Sequence, residues 1–337
     1  MIRTITLRLI GAIPNLIGVV VVTFLLTRAL PGDPAAFFAG AAASPEAVEQ
    51  IREKLGLNKT LLEQFGLYLR DLAQGDFGHS LSTGQPVLTE LLQRLPASLE
   101  LTFLALLLAT AIALPLGVMA ATRPGSWIDH LCRLITTAGV SLPTFFTGLL
   151  LAYVFYFLLG IAPSPLGRLD PLFAPPKAVT GMYLIDSLLA ADGALFRACL
   201  AQLILPAVTM GIFVLAPLAR MTRASMLGVP SSDFIRTARA SGLSSTTVLY
   251  TYAFRNALLP VVTTLGMVFS FLLGSNVLVE KVFAWPGIGS YAIESLTASD
   301  YAPIQGFVLT MGVLYVLLNL GIDLLYGLID PRVGLEA

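Results

Sequence analysis

The sequence predicts an all-α integral membrane protein that crosses the bilayer about six times. Apolar residues make up 56% of its 337 positions and charged residues only 12%, about half the charged share of a typical soluble domain. Six apolar runs have the length of a membrane-spanning helix, which needs about 20 residues to cross the hydrocarbon layer. A long segment after the first run carries its own helical pattern, which indicates an extended loop subdomain on one side of the membrane.

The first run, residues 9–30, follows Arg3 and Arg8. It is longer than the h-region of a cleaved signal peptide, which has roughly 7 to 15 residues, so it favours an uncleaved anchor. Lipid offers no partner for a free backbone N–H or C=O, and the runs lack the alternation of barrel strands, so each is expected to be a helix. Prolines 14, 115, 143 and 206 are expected to kink or begin spans. The five further runs are 99–121, 134–159, 203–218, 258–279 and 304–328.

Basic residues near the ends of the spans predict the orientation. With a cytoplasmic N-terminus, the inner segments are short and poor in acids, whereas the outer segments dilute their basic residues over about twice the length with many Asp and Glu residues. The positive-inside rule therefore predicts that both termini are cytoplasmic. The inner segments are 1–8, 122–133, 219–257 and 329–337.

Three parts follow along the chain: an N-terminal span at 1–30, an outer loop subdomain at 31–96 and a five-helix core at 97–337. Helical patches are predicted in the subdomain at 45–55 and 61–72. The core contains a second outer excursion at 161–200 and one substantial inner loop at 219–257. No internal repeat of the kind seen in inverted-repeat carriers is evident.

Composition argues against several classes of function. The 20 basic residues balance the 20 acidic ones, so no global field favours nucleic acid. Two distant cysteines and two distant histidines offer neither a disulfide framework nor a metal cluster. A phosphate-binding loop needs glycine before its lysine, and Lys54, Lys59, Lys177 and Lys281 follow Glu, Asn, Pro and Glu. The chain is therefore expected to carry no cofactor and no ATP-binding loop of that type.

A short amphipathic helix is predicted in the inner loop at 234–241. Pro230-Ser231-Ser232-Asp233 supplies stop and cap residues before it, and Gly242 suits a left-handed residue after it. At 100° per residue Phe234, Ile235 and Ala238 share one side, with Arg236 and Arg239 beside them. Such a helix is marginal alone in water and must dock on something. It can lie on lipid headgroups with its arginines toward phosphate, or it can fit a groove on a cytoplasmic protein.

Five ordered motifs carry a resemblance to a known family. The run DFIRTARASGL at 233–243, followed by FRNALLP at 254–260, resembles the EAA loop of binding-protein-dependent ABC importer permeases, specifically the branch for dipeptides, oligopeptides and nickel. That branch also has the motifs found here as PGDP at 31–34, GDFGHS at 75–80 and PGIG at 286–289. Arg236 stands at the name-giving glutamate, as often in the peptide branch, and Tyr252 stands where that branch commonly has histidine.

The resemblance implies the type I ABC importer permease fold in a bacterial inner membrane. It implies a homologous second permease, two cytoplasmic ATPases that bind ATP and Mg, and a periplasmic substrate-binding protein as partners. The inner-loop helix would be the coupling helix, with Phe234 and Ile235 entering a groove on the ATPase and two arginines pairing at its rim. The implied coupling residues are Asp233, Phe234, Ile235, Arg236, Ala238, Arg239 and Gly242.

Polar residues elsewhere are assigned more openly. Asp33, Asp76 and Glu294 are candidates for docking the binding protein or for local structure. Ser270, Ser275 and Asn276 in the fifth span are candidates for lining the translocation pathway, or for hydrogen bonds between helices, because polar groups at membrane depth should face protein or water. Glycines 75, 78, 287 and 289 are expected to set turns rather than to touch cargo.

The resemblance indicates peptide transport, and nickel chelates or glutathione stay open as cargo because selectivity in such systems rests largely with the binding protein. A secondary carrier independent of ATP is disfavoured because most central positions of the spans lack ionisable residues. A membrane-embedded enzyme is disfavoured because the chain offers no nucleophile–base pair or ligand cluster.

Overall fold

The computed structural model describes residues 2–29, 35, 39–40, 43–54, 56–229 and 232–329. Over these residues the chain is helical, and its one extended pairing is an isolated bridge between His79 and Pro86. The helices confirm the predicted all-α class. They are α1 Ile2–Ala29, α2 Pro45–Lys54, α3 Leu61–Ala73, α4 Val87–Thr122, α5 Trp127–Ser141, α6 Thr144–Leu151, α7 Tyr183–Leu189, α8 Gly193–Gly228, α9 Asp233–Ala240, α10 Arg255–Val282, α11 Ile288–Thr297 and α12 Tyr301–Ile329.

Two π-helical segments extend this list. Ala152–Leu158 continues α6, and Val248–Phe254 joins the helical turn Ser245–Thr247 to α10. Wider turns of this kind occur in proteins mostly as single-turn insertions, frequently at functional sites. The segment before α10 lies inside the predicted inner loop.

The described helices include four that are long and apolar enough to cross a membrane, Val87–Thr122, Gly193–Gly228, Ser245–Gly274 and Tyr301–Ile322. A bent pair, Trp127–Gly139 with Thr144–Leu158, brings the number to five if it forms one span. Ile13–Leu25 in α1 is a shorter apolar stretch. Each predicted run therefore overlaps helical structure among the described residues, and the total of six spans stays a prediction.

The run at 134–159 is not one helix, so the expectation of a single span helix there is wrong. α5 ends at Ser141, Leu142 is extended with φ −110° and ψ 140°, and Pro143 precedes α6. The chain bends by 104° from the first arm to the second. The residue before proline is pushed out of the α region, and proline has no N–H to continue the ladder, so the break falls at this dipeptide.

The chain divides into two compact units. The core unit comprises the described residues within Met1–Leu9, Arg94–Ser290 and Tyr315–Ala337, and the loop unit those within Ile10–Gln93 and Tyr291–Leu314. The three-part division at residues 30 and 96 stays a prediction.

Small residues set the packing of the core unit. Its main apolar cluster buries a row of alanines on α4, including Ala105 and Ala109, against α8 and α10. A Cβ on Gly117 would lie 2.6 Å from Thr222 Cβ, so only glycine allows α4 and α8 to approach this closely. Contacts between small residues are the usual way that helices associate in lipid, where burial from water gives no driving force between them.

The loop unit is built on helices that the sequence predicted. α2 and α3 match the patches at 45–55 and 61–72, and Leu55 lies outside the described residues. Thr60 and Glu63 cap α3 reciprocally, with each side chain bonded to the other's backbone N–H. Phe24 packs edge-on against Phe65, with ring centroids 5.1 Å apart. Within the loop unit, α1 and α3 are therefore joined by aromatic packing.

Candidate coupling site and the polar anchors of the core unit

The helix of the inner loop, α9, forms within one residue of its predicted bounds. Ser232 before it is extended, but its Oγ donates to the carbonyl of Val229 instead of capping the helix, so the predicted side-chain cap is wrong there. Gly242 has φ +74°, as predicted, and its N–H donates to the carbonyl of Arg239 at 3.0 Å. Pro230 and Ser231 lie outside the described residues.

One face of α9 is buried in its own chain. Ile235 is 1% exposed and Ala238 is 6% exposed. Both belong to a second apolar cluster. Its other buried members come from α4, α8, the stretch that leads into α10 and α10 itself, namely Val118, Ala121, Met226, Val248, Ala253 and Ala257. An eight-residue helix cannot hold its shape alone, and this packing supplies what it lacks. The expectation that Ile235 enters a groove on another protein is therefore wrong.

The other face of α9 is open. Phe234 is 42% exposed, and Asp233, Arg236 and Arg239 are also exposed. Arg236 Nη2 lies 3.1 Å from Asp233 Oδ1, with both side chains largely in solvent, where an ion pair contributes little. The exposed face thus offers one aromatic ring and two guanidinium groups. Tyr252 is also exposed.

Near this cluster a buried carboxylate joins two helices. Asp129 on α5 is 1% exposed, and its Oδ1 and Oδ2 accept from Nε and Nη2 of Arg223 on α8 at 2.6 and 3.1 Å. Oδ2 also accepts from Arg133 Nη2 and from the N–H of Gly125, each at 2.9 Å. We call this arrangement the Asp129 clamp. Sequence reasoning missed it because 94 positions separate Asp129 from Arg223.

A second buried carboxylate lies at the far end of α10. Glu280 is 0% exposed. Its Oε1 accepts from Ser98 Oγ on α4, and its Oε2 accepts from the N–H of Ser290 at 2.8 Å. Ser98 Oγ in turn accepts from the N–H of Ile288 at 2.9 Å. We call this arrangement the Glu280 clasp, and its hydrogen-bond partners are neutral groups.

The Glu280 clasp explains the PGIG motif. A Cβ on Gly287 would overlap Glu280 Oε1 and Ser98 Oγ, and one on Gly289 would lie 2.6 Å from Val277 Cγ2. The two glycines therefore permit a close approach of the chain to the carboxylate, instead of setting the left-handed turns found at Gly75 and Gly78. Trp285 Nε1 donates to the carbonyl of Ala97 at 2.9 Å beside them.

Two of the three candidate pathway residues, Ser270 and Asn276, have hydrogen-bond partners within the helices. Asn276 is 1% exposed, and its Nδ2 donates to Ser98 O and Thr102 Oγ1, each at 3.4 Å. Ser270 Oγ donates to the carbonyl of Gly266 one turn back, at 3.1 Å. The side chain of Ser275 lies outside the described part of the chain. For Asn276 the geometry fits the alternative of a hydrogen bond between α10 and α4.

Two of the three candidate docking residues, Asp76 and Glu294, lie in the loop unit. Asp76 is exposed, and its Oδ1 accepts from the N–H of Gly78 at 2.8 Å, which orders the turn. Glu294 is exposed on α11. Asp33 lies outside the described residues. Their role in docking stays a prediction.

Comparison with known proteins defines the class of this fold. Residues 113–335 match the model of the binding-protein-dependent transport system inner membrane component, and residues 1–102 match the N-terminal model of the same membrane component. The chain belongs to this family of membrane transport subunits.

Individual relatives match over nearly the whole chain. It is 47% identical over 96% of its length, and 95% of the relative's, to the probable D,D-dipeptide transport system permease protein DdpB of Escherichia coli strain K12. It is 41% identical to the dipeptide transport system permease protein DppB of Alkalihalophilus pseudofirmus, over 97% of both chains. It is 39% identical to DppB of Escherichia coli strain K12, over 99% of both chains.

Proposed function

We propose that this chain is one of two permease subunits of an ATP-driven importer that carries dipeptides inward from a substrate-binding protein. The observation that supports the proposal most directly is α9, whose inner face is fixed in the core unit while Phe234, Arg236 and Arg239 remain exposed. A helix held on one side and bare on the other suits transmission of force from a second protein. We assign that second protein as a cytoplasmic ATPase.

The division of labour follows from the sequence. The four lysines lack the glycine that a phosphate-binding loop places before its lysine. ATP and Mg would therefore be bound by two partner ATPases, each contacting the coupling helix of one permease. Closure of the ATPase pair would move α9 and shift the spans between two arrangements.

Orientation forms part of the proposal. A cytoplasmic N-terminus places α9, Asp129 and Arg223 on the cytoplasmic side and the Glu280 clasp on the periplasmic side. The excess of basic over acidic residues in the short inner segments supports this orientation. Single cysteines at exposed Thr237 and Leu172 would report it, because an impermeant maleimide added to intact spheroplasts should label only position 172.

Dipeptides are the proposed cargo because relatives that match over nearly the whole chain carry dipeptide transport in their names. The 47% identity to a relative named for D,D-dipeptides favours testing both stereochemical series. Uptake of L,L- and D,D-dialanine by the reconstituted importer with its own binding protein would separate them. Saturable uptake of neither, with uptake of a nickel chelate or glutathione, would contradict the assignment.

The coupling assignment is tested by truncating the exposed ring. Phe234→Ala should leave the chain folded and reduce ATPase stimulation and uptake, since a packed aromatic anchor is worth about 2 kcal/mol or more. Ile235→Ala should instead destabilise the chain itself by about 2–5 kcal/mol, because it removes buried methyl groups from the core. Uptake and ATPase activity of the Phe234 variant equal to wild type would remove the assignment.

Two arginine variants, one on α9 and one elsewhere in an inner segment, supply a matched control. Arg239→Gln and Arg123→Gln each remove one exposed guanidinium from an inner segment, but only Arg239 lies on α9. We expect reduced co-purification of the ATPases with Arg239→Gln and wild-type recovery with Arg123→Gln. Equal loss in both would point to a general charge effect instead of a contact made by α9.

A further inference from the structure

The Asp129 clamp links two membrane helices at the end of the core unit that carries α9. Arg223 presents two N–H groups to the two oxygens of Asp129, and paired contacts of this kind fix the relative orientation of both groups. The carboxylate is buried, whereas Arg223 is 24% exposed and Arg133 is 54% exposed. Charge on Asp129 is therefore balanced without complete burial of its partners.

α5 is also held by α8 at a second point. A Cβ on Gly139 would lie 3.0 Å from the carbonyl oxygen of Ile212, so the two backbones are in close contact there. Ten residues separate Asp129 from Gly139, about 15 Å along a helix. α5 therefore contacts α8 through an ion pair near its start and through backbone packing near its end.

α8 also contributes to the apolar cluster against which α9 packs. Met226 is 1% exposed and belongs to the same apolar cluster as Ile235 and Ala238. Arg223 lies three residues before Met226, which is less than one helical turn. A displacement of α9 that is transferred to Met226 therefore reaches Arg223 through a single rigid turn.

We propose that Asp129 and Arg223 are positioning residues for transport, which make the start of α5 follow the movement of the coupling helix. This inference rests on the proposed function, since it needs a partner that moves α9. Without the clamp, α5 keeps its packing at Gly139 but its start is no longer tied to α8. ATP-driven movement should then reach α9 and α8 but be lost at Trp127.

Two reporter positions separate the steps of this path. Trp127, the first residue of α5, is 73% exposed, and Thr237 is exposed on α9. Each would be replaced by cysteine and labelled with bimane. Cys132→Ala and Cys199→Ala would remove the two native thiols, which are buried, so that the introduced cysteine is the only labelling site on this chain. The full importer, in nanodiscs with its binding protein, would be measured before and after trapping with ATP and vanadate.

The expected result is a selective loss. With Asp129→Asn, the trapping response at 237 should persist, and the response at 127 should fall by about threefold or more. Arg223→Gln should behave alike, and the double variant should be no worse than either single one, because both remove the same interaction. Arg133→Gln, which alters the exposed partner of the same carboxylate, should retain most of the response at 127.

Other outcomes overturn the inference at identifiable points. Undiminished responses at both positions in Asp129→Asn would show that the clamp carries no movement. No response at 237 in the parent complex would remove the proposed coupling function, and this inference with it. If Asp129→Asn does not assemble, Arg223→Lys keeps the charge but loses the planar fork, and an unchanged response at 127 in that variant would also overturn the proposal.

Discussion

Two of the buried carboxylates in the core unit, Asp129 and Glu280, are held in opposite ways. Asp129 faces two guanidinium groups that remain partly in solvent, whereas Glu280 is enclosed by a hydroxyl and backbone amides, with two glycines pressed against it. An ion pair with solvated partners can stay paired while the helices that carry it move together, because attraction between charges falls off gradually with distance. A cage with no space for one added carbon holds the segments around it in one arrangement. The comparison suggests a clamp that tolerates motion and a clasp that resists it.

The substitution with the largest expected effect disrupts the Glu280 clasp. Gly287→Ala would place a methyl group on Glu280 Oε1 and Ser98 Oγ, and we expect it to destabilise the chain by about 3 kcal/mol through overpacking and lost hydrogen bonds. Thermal unfolding of the purified chain measures this. Gly274→Ala in the same region of α10 is the control, since no heavy atom lies within 4 Å of its added Cβ, and it should stay within about 1 kcal/mol of wild type.

A pair of isosteric amides compares the two carboxylates directly. Asp129→Asn leaves Arg223 without its anion and should cost about 1.5–3 kcal/mol, the range for hydrogen bonds to charged groups. Glu280→Gln should cost about 1 kcal/mol, because its amide oxygen still accepts from Ser290 and its NH2 can donate to Ser98. Denaturant unfolding would rank the two. A larger loss for Glu280→Gln would reverse the comparison.

The two arginines of the clamp should differ as well. Arg223→Gln removes two contacts to the buried carboxylate and should lower stability by about 1–2 kcal/mol. Arg133→Gln removes one contact from a side chain that is 54% exposed, so we expect about 0.5 kcal/mol or less. Equal losses would indicate that the carboxylate is held by total charge alone, without the geometry of the fork.

The last expected effect is pH-dependent and concerns a carboxylate held, like Glu280, by neutral donors. Burial opposes ionisation of Asp186 on α7, but hydrogen bonds from Thr180 and the N–H groups of Val179 and Gly181 outweigh it and lower its pKa below the ordinary value. A lowered pKa contributes stability that is present above pH about 4 and is lost as pH falls through the folded value. Asp186→Asn should therefore be less stable than wild type at pH 7 by about 1 kcal/mol.

The same comparison gives the test of that pH effect. Unfolding midpoints of wild type and Asp186→Asn should converge as the pH falls from about 4, the ordinary pKa of an aspartate, through the lower pKa of the folded carboxyl. A constant difference between the two proteins from pH 7 down to 3 would contradict the assignment.

Sequence reasoning succeeded where the signal was local. Apolar runs placed the membrane helices, and the periodicity at 234–241 with Gly242 placed α9, because helix formation depends on neighbours three and four residues apart. The break at Leu142-Pro143 was also local, yet the apolar run around it masked two helices as one.

The anchors could not be read from the sequence. Ser98 and Glu280 lie 182 positions apart, and nothing near either residue specifies the other. For α9, periodicity put Phe234 and Ile235 on one side, but adjacent residues are 100° apart, so the same pattern allows either to face inward. Only the position of Met226, Val118 and the turn before α10 decides that Ile235 is the buried one.

The adjacency of Phe234 and Ile235 also bears on how this surface can evolve or be engineered. Ile235 must fit the interior of this chain, and the adjacent Phe234 must fit whatever contacts α9. No residue separates the two constraints. A grafted loop that copied only the exposed residues would lack the buried contacts that hold α9 in place. One that copied only the buried residues would stay folded but would bind no partner. A change of partner specificity between relatives should therefore require substitutions only at the exposed positions of α9, while its buried face stays the same.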